Sequence, residues 1–315
     1  MNKSKLITTT AIATVMTASA AQAELSISGG FAGWWYSADN ATSLSRTWNT
    51  ESVNVSYSDT MDNGMGVSVT ANVGGTGGTK DSTATNYNMS ISSDMGTLTF
   101  GDQITSAADK ADGLNSLSLF ECCTWGSTVP DGMSAGYNDG DASTGDEGVL
   151  YQSPSMNGWT LYLSHGLTAG AGSENYEDTN GAAIKGSLGG ISVAAGGTSV
   201  GDTGSSGSGY DSTFIQAAMS LGSMGVSVGM MDGGSNRAQE NAIAVDMPIM
   251  GMDMKVAYVD QDASGTNYDQ SGYQIGLAKS MGPATFGIQY DNADTAASGD
   301  GAEIETWKVA YQIYF

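Results

Sequence analysis

The sequence predicts an all-β fold, a transmembrane antiparallel β-barrel of 16 strands, on three observations. First, apolar and polar residues alternate with period two in short runs that continue to the last residue, Phe315, with almost no 3.6-residue period. Second, short Gly/Asn/Asp turns alternate along the chain with longer polar loops. Third, the apolar face of each run carries almost no charge, while the other holds Ser, Thr, Asn, Gln and Gly. A bilayer core offers no partner to an open backbone group, so only a helix or a closed sheet crosses it. No stretch of about 20 apolar residues exists, which leaves the closed sheet.

The elements follow in order. Residues 1–23 read as a secretory signal peptide to be cleaved: Lys3 and Lys5 start it, a threonine-diluted apolar stretch runs from Leu6 to Met16, and Ala21-Gln22-Ala23 forms the cleavage site. Residues 24–315 form the barrel. Strands are expected near 25–36 and 47–58, the latter with Val53, Val55 and Tyr57 on one face. The turn Asp62-Asn63-Gly64 leads to 66–74, where Val67, Val69, Ala71 and Val73 alternate with Ser68, Thr70 and Asn72. Strands 85–93 and 97–102 flank a turn at Ser93 to Gly96. A connection of about 45 residues follows, Gln103 to Glu147. Such length is unusual in a compact fold and suggests function. Strands 148–154 and 159–167 come next, with Trp159, Leu161 and Leu163 in phase. Then come 181–188, 191–198, 212–220, 225–231, 240–246, 253–261, 271–280 and 284–291. Short turns stand at 188–190, 221–224, 247–251 and 280–283, and long loops at 168–180, 199–211, 262–270 and 292–302. The last strand, 303–315, sets Trp307, Val309, Tyr311, Ile313 and Phe315 on one face.

Composition removes several function classes. Ten Lys and Arg against 33 Asp and Glu give a net charge of −23, which disfavours nucleic-acid binding because phosphates need clustered bases. Loss of residues 1–23 leaves 8 bases against the 33 acids, a net of −25. A soluble sandwich or β-helix is the competing fold. It would bury the apolar faces in one dry core, but it explains neither the alternation of connections nor a strand that reaches the final residue.

Three segments carry a family resemblance. The chain ends Trp307-Lys308-Val309-Ala310-Tyr311-Gln312-Ile313-Tyr314-Phe315, begins after cleavage Glu24-Leu25-Ser26-Ile27-Ser28-Gly29-Gly30-Phe31, and contains Gly96-Thr97-Leu98-Thr99-Phe100-Gly101-Asp102 before the long connection. In these it resembles the general diffusion porins of Gram-negative bacteria, particularly the alphaproteobacterial, 16-stranded type. The resemblance implies a homotrimer in the outer membrane, in contact with lipopolysaccharide. Each barrel would be a water-filled pore for ions and small hydrophilic solutes, with the third loop, 103–147, folded into the lumen as its constriction. It also implies that Trp307, Tyr311, Ile313 and the terminal Phe315 form the signal read by the barrel-assembly machinery.

In porins of this kind, acids on the third loop face bases on the wall. The loop here offers Asp109, Asp112, Glu121, Asp131, Asp139 and Asp141. Arg46, Lys185, Lys255 and Lys308 have lumen parity, and Arg46, just before the second strand, is the best single candidate for a wall cation. With so few bases this departs from the usual pattern. Acid-lined pores favour cations, so a cation preference is expected.

The remaining constellations point to no chemistry. Cys122 and Cys123 are adjacent, so they either form a strained vicinal disulfide or remain small buried thiols. A lone His165 cannot build a multi-His metal site, and no nucleophile elbow or His-Glu-x-x-His is present. No enzyme, cofactor or metal site is expected. Asp139-Gly140-Asp141 and Asn292-Ala293-Asp294 offer calcium-type oxygen ligands, with solvated acidic loops as the favoured reading. Trp34, Trp35, Trp48, Trp159, Trp307, Tyr311 and Phe315 lie near strand ends, where membrane girdles are expected. A passive porin in the cell outer membrane is the leading reading. A non-conducting structural or adhesive surface protein and a substrate-specific channel are the alternatives.

Overall fold

The structure is a computed structural model, and it describes residues 24–38, 45–73, 85–102, 104–111, 147–169, 176–201, 210–233, 239–262, 270–295 and 302–315. Sixteen strands follow in chain order. They are β1 (Glu24–Ala38), β2 (Ser45–Thr60), β3 (Gly66–Val73), β4 (Thr85–Ser93), β5 (Gly96–Gly101), β6 (Glu147–Gln152), β7 (Trp159–Ala169) and β8 (Tyr176–Leu188). The second half holds β9 (Ile191–Val200), β10 (Tyr210–Leu221), β11 (Met224–Asp232), β12 (Gln239–Ile249), β13 (Met252–Asp262), β14 (Gln270–Met281), β15 (Ala284–Thr295) and β16 (Ala302–Tyr314). A single short helix, α1 (Ala107–Ala111), stands among the described residues between β5 and β6. Each strand pairs antiparallel with its neighbours in sequence, and β1 pairs with β16, so the sheet closes into a barrel without an edge.

The seam shows how closure satisfies the ends. Gly29 N–H donates to the Phe315 carbonyl at 2.9 Å, and Phe315 N–H returns a bond to the Gly29 carbonyl at 3.0 Å. Within apolar surroundings each unpaired backbone group would cost several kcal/mol, so the final residue is part of the wall. At the other end of the economy of turns, each of the seven short connections contains a glycine in the left-handed region, such as Gly64 (φ 82°) and Gly282 (φ 63°). That backbone shape suits tight hairpins, and glycine adopts it without a Cβ penalty.

The two faces of the wall separate by parity. Ile27, Val53, Val69, Leu98, Leu163, Ile184, Ile215, Ile243, Ile275, Ile288 and Val309 are all exposed on the outside. Their lateral neighbours Ser164, Thr198, Ser212, Gln216, Ser227, Gln274, Gln289, Thr306 and Gln312 turn inward and are buried. Outward parity does carry charge, mostly near strand ends: Asp59, Asp211, Asp232, Asp260, Lys279 and Glu305 each lie within three residues of a strand terminus. Those positions meet headgroups and water rather than hydrocarbon. Aromatic side chains gather on the outer face, with Tyr290 4.8 Å from Trp307 and 6.0 Å from Tyr273 between ring centroids.

Strand limits depart furthest from the sequence expectation in two places. β8 starts at Tyr176 rather than 181, and β15 runs to Thr295 rather than 291. Asn292-Ala293-Asp294 is therefore strand, paired with Ile304 and its neighbours, and not an acidic loop. The wall extends past the hydrocarbon into water, where nothing requires apolar alternation and polar strand reads as loop.

One glycine is held for space as well as conformation. Gly101 ends β5 at φ 143°, and a Cβ there would collide with the Tyr87 carbonyl oxygen and stand 2.7 Å from Asn88 Cα. Gly101→Val is expected to lower folding stability by about 1–3 kcal/mol, read as a shift of the urea midpoint of the detergent-folded protein.

Candidate functional site

The lumen is the candidate site, and its wall is not uniform. From β2 to β5 it is a ladder of small polar groups paired across strands. Ser56 Oγ lies 3.0 Å from Thr70 Oγ1, Asn72 Nδ2 donates to Asn54 Oδ1 at 2.9 Å, and Ser90 Oγ lies 2.8 Å from Thr99 Oγ1. From β6 to β13 the inward side chains include Leu150, Tyr162, Ala183, Ala194, Phe214, Met231, Ala244 and Val259, all buried. The sequence signal for this second surface is weak, because alanines and isolated large residues on the polar parity do not break the alternation.

Helix α1 rests on this apolar stretch. It contacts β7, β8 and β9, and its Ala107, Ala108 and Ala111 are almost wholly buried. Its start is fixed twice. Ser106 Oγ accepts the Asp109 N–H at 3.1 Å, and Ser164 Oγ on β7 accepts the Ala107 N–H at 2.9 Å. The first four N–H groups of a helix have no internal partner, so the wall itself supplies a cap. Gly181 on β8 leaves the room: a Cβ there would stand 2.5 Å from Ser164 Oγ and 3.3 Å from Ala107 Cβ. Ser106-Ala107-Ala108-Asp109 has the spacing of a capping box, a local signal that the period-two reading of the chain passes over.

The predicted site residues separate into three groups. Lys185, Lys255 and Lys308 stand on the lumen register, opposite Ala194, Asp246 and Gln289. Two of them are paired. Lys308 Nζ lies 2.8 Å from Asp291 Oδ2, with both side chains mostly buried, and Gln289 Nε2 donates to Asp291 Oδ1 at 2.8 Å. Lys255 Nζ lies 3.4 Å from Asp246 Oδ1, where the acid is half exposed. Asp109 occupies the third position of α1. The β2 backbone puts Arg46 opposite Trp35, past a register shift between Ala32 and Gly33. That shift breaks the strict alternation from which the sequence placed Arg46 on the lumen face, and its side chain lies outside the described residues. Asp112, Glu121, Asp131, Asp139, Asp141, Cys122 and Cys123 also lie outside the described residues, as does the fold of the loop beyond α1. The signal segment 1–23 does too.

Sequence reasoning missed Asp246, Asp291 and Gln289, which complete the lysine pairs. No local motif marks them; each meets its lysine only across a strand pair. Trp307, Tyr311, Ile313 and Phe315 lie on the outer parity of β16 and its end, with Trp307 and Phe315 more than half exposed. His165 Nδ1 lies 2.9 Å from Asn180 Oδ1 near the outer rim. Among the described residues no group of three or more His, Cys, Asp or Glu gathers.

A family model for Gram-negative porins matches residues 8–313, nearly the whole chain. This chain belongs to the Gram-negative porin family. A triple mutant of the Rhodopseudomonas blastica porin superposes with a TM-score of 0.68 at 17% identity, covering 93% of this chain and all of that one. Another mutant of the same porin gives 0.69 at 16% identity, again over 93% of this chain and 100% of that one. A loop-deletion mutant of OmpT, an outer membrane protein of Vibrio cholerae, gives 0.67 at 16% over 93% of this chain and 99% of that one. At such identities these likenesses establish the fold. No curated protein sequence matches the chain. Family and fold together make this an outer-membrane porin channel.

The wall cap on α1 is directly testable. Ser164→Ala leaves the buried Ala107 N–H without its acceptor, a loss of about 1–3 kcal/mol. It is expected to raise open-channel current noise and the rate of protease cleavage between β5 and β6, with the barrel's heat-modifiable gel mobility retained.

Proposed function

We propose that this porin conducts ions and small hydrophilic solutes passively, prefers cations, and works as a homotrimer embedded among outer-membrane lipid and lipopolysaccharide. The observation that carries the cation preference is the pairing of the wall lysines. Lys255 and Lys308 are each matched by a carboxylate, Asp246 and Asp291. A matched pair projects little net positive field into the pore. With 33 acids against 10 bases in the chain, what remains at the lumen favours cations. Asp109, Asp112, Glu121 and Asp131 on the long connection, facing Arg46 and Lys185, are the residues proposed to set the constriction. Residues 1–23 are proposed to export the chain. The end bearing Trp307, Tyr311, Ile313 and Phe315 is proposed to recruit the assembly machinery.

Planar-bilayer recording of the refolded mature chain under a KCl gradient tests this reading. The expected result is stepwise conductance closing in threes, with a reversal potential of the sign that potassium selectivity gives. Absence of conductance from a folded, inserted sample would support the structural surface protein instead, and chloride selectivity would overturn the charge argument. Asp109→Asn with Asp112→Asn is expected to reduce the cation preference, while an unchanged reversal potential would remove both from the constriction.

The two lysine pairs are expected to differ in worth. Asp246→Asn, at a half-exposed acid, should shift stability by less than about 1 kcal/mol but move the reversal potential toward chloride by freeing Lys255. Asp291→Ala leaves buried Lys308 without its counter-charge and is expected to cost about 3–5 kcal/mol, measured by urea unfolding in detergent.

A further inference from the structure

Among the described residues two hollows on the lumen wall differ in charge: one holds the acid Asp246, already matched by Lys255, and the other a lysine. The first, about 230 Å³, lies toward the short-turn end and is lined by Ser192, Ser220, Ser227 and Asp246 among others. The second, about 340 Å³, lies where the start of the long connection crosses β4, β5 and β6. Asn88, Ser90, Thr97, Thr99 and Gln152 line it from the wall, and Lys110 of α1 lines it from the loop side.

The second hollow has a composition that the chain as a whole does not. Acids outnumber bases 33 to 10, yet among the described residues its lining includes a lysine and no carboxylate. The other polar groups there are hydroxyls and carboxamides, which donate to an anion or accept from a sugar hydroxyl equally well. Ser90 and Thr99 hold each other at 2.8 Å, so that part of the lining is already ordered before a solute arrives. Lys110 is exposed and forms no ion pair among the described residues, unlike Lys255 and Lys308, whose charge is met by the wall. Lys185, the other lumen lysine, lines neither hollow. The volume sits at the small end of the ligand-site range of roughly 300–1,000 Å³, room for one six-carbon solute.

We propose that the hollow bounded by Lys110, Asn88, Ser90, Thr97, Thr99 and Gln152 is a retention site for a small hydroxylated monoanion of the sugar-acid type. Lys110 pairs with the carboxylate and the hydroxyl and amide row takes the polyol chain. This rests on the channel reading above and deepens it. In a pore that favours cations, the site offers one class of anion a foothold that bulk chloride lacks, because chloride is a single atom and cannot span Lys110 and the hydroxyl row at once.

Three probes of similar size separate the contributions: potassium gluconate, glucose and glucosamine hydrochloride, each added to a single channel in constant KCl. Gluconate is expected to reduce conductance saturably and raise current noise. Glucose should act weakly and without saturation, and glucosamine not at all beyond its bulk effect. Lys110→Gln should weaken the gluconate effect about tenfold, the worth of a hydrogen bond to a charged group, while Lys110→Arg should restore most of it. Thr99→Val should weaken gluconate about threefold without altering the charge, and it serves if Lys110→Gln fails the heat-modifiability check for folding. Equal effects of gluconate and glucose, or an unchanged gluconate effect in a folded Lys110→Gln variant, would overturn the site. Calorimetric titration of gluconate into the detergent-folded protein reads binding without conductance. Binding there with no channel activity would sink the channel reading and keep the site, whereas channels with no binding would do the reverse.

Discussion

Everything in this molecule depends on one constraint: a backbone N–H or C=O facing hydrocarbon must find its partner within the protein. The barrel answers it by pairing β1 with β16 and by drawing even Phe315 into the seam, through two bonds to Gly29. Once the wall is closed, side-chain parity assigns itself. Isoleucine, valine and leucine meet lipid, and serine, threonine and glutamine meet the lumen. The ordinary relation between burial and polarity is inverted, since the fully buried side chains include Gln274, Gln289 and Glu240 while Ile27 and Ile215 are more than half exposed.

A closed wall frees the loops from holding the fold together, so a loop can serve the pore. The short-turn end is pinned by glycines in the left-handed region. At the other end the long connection enters α1, and α1 is anchored to the wall by Ser164 and by the room that Gly181 leaves. The anchor joins structure to function, because a helix capped by a barrel serine has its charged groups, Asp109 and Lys110, set at defined points beside the lumen. Asp109 thereby has a part in the helix start, through its backbone N–H to Ser106 Oγ.

Charge placement follows from strand pairing. In a chain this acidic, lysines on the lumen face would be expected to find acids, and two do so across adjacent strands at 2.8 Å and 3.4 Å. The pairs differ in depth. Lys308 and Asp291 are desolvated and further tied by Gln289, so breaking that pair strands a buried charge. Lys255 and Asp246 meet solvent, so their exchange with mobile ions is cheap. The same chemistry on the same wall thus divides into a structural pair and an electrostatic one.

The sequence by itself determined the barrel. Period-two alternation, seven Gly-bearing short turns and a strand running to Phe315 are local facts, and a closed antiparallel sheet is the one arrangement that satisfies them in a bilayer. It also placed Lys185, Lys255 and Lys308 on the lumen face, because parity is a property of counting along one strand. Counting meets a register shift before Arg46, and it failed at 292–294, where strand leaves the hydrocarbon and the apolar half of the pattern is no longer needed. The tertiary structure alone decided which acid answers which lysine, where α1 docks, and that Lys110 shares a hollow with Asn88, Thr99 and Gln152. Those contacts join residues from 9 positions apart (Asp246 and Lys255) to 57 (Ala107 and Ser164) through strand stagger and loop path, and neither leaves a periodic trace in the chain.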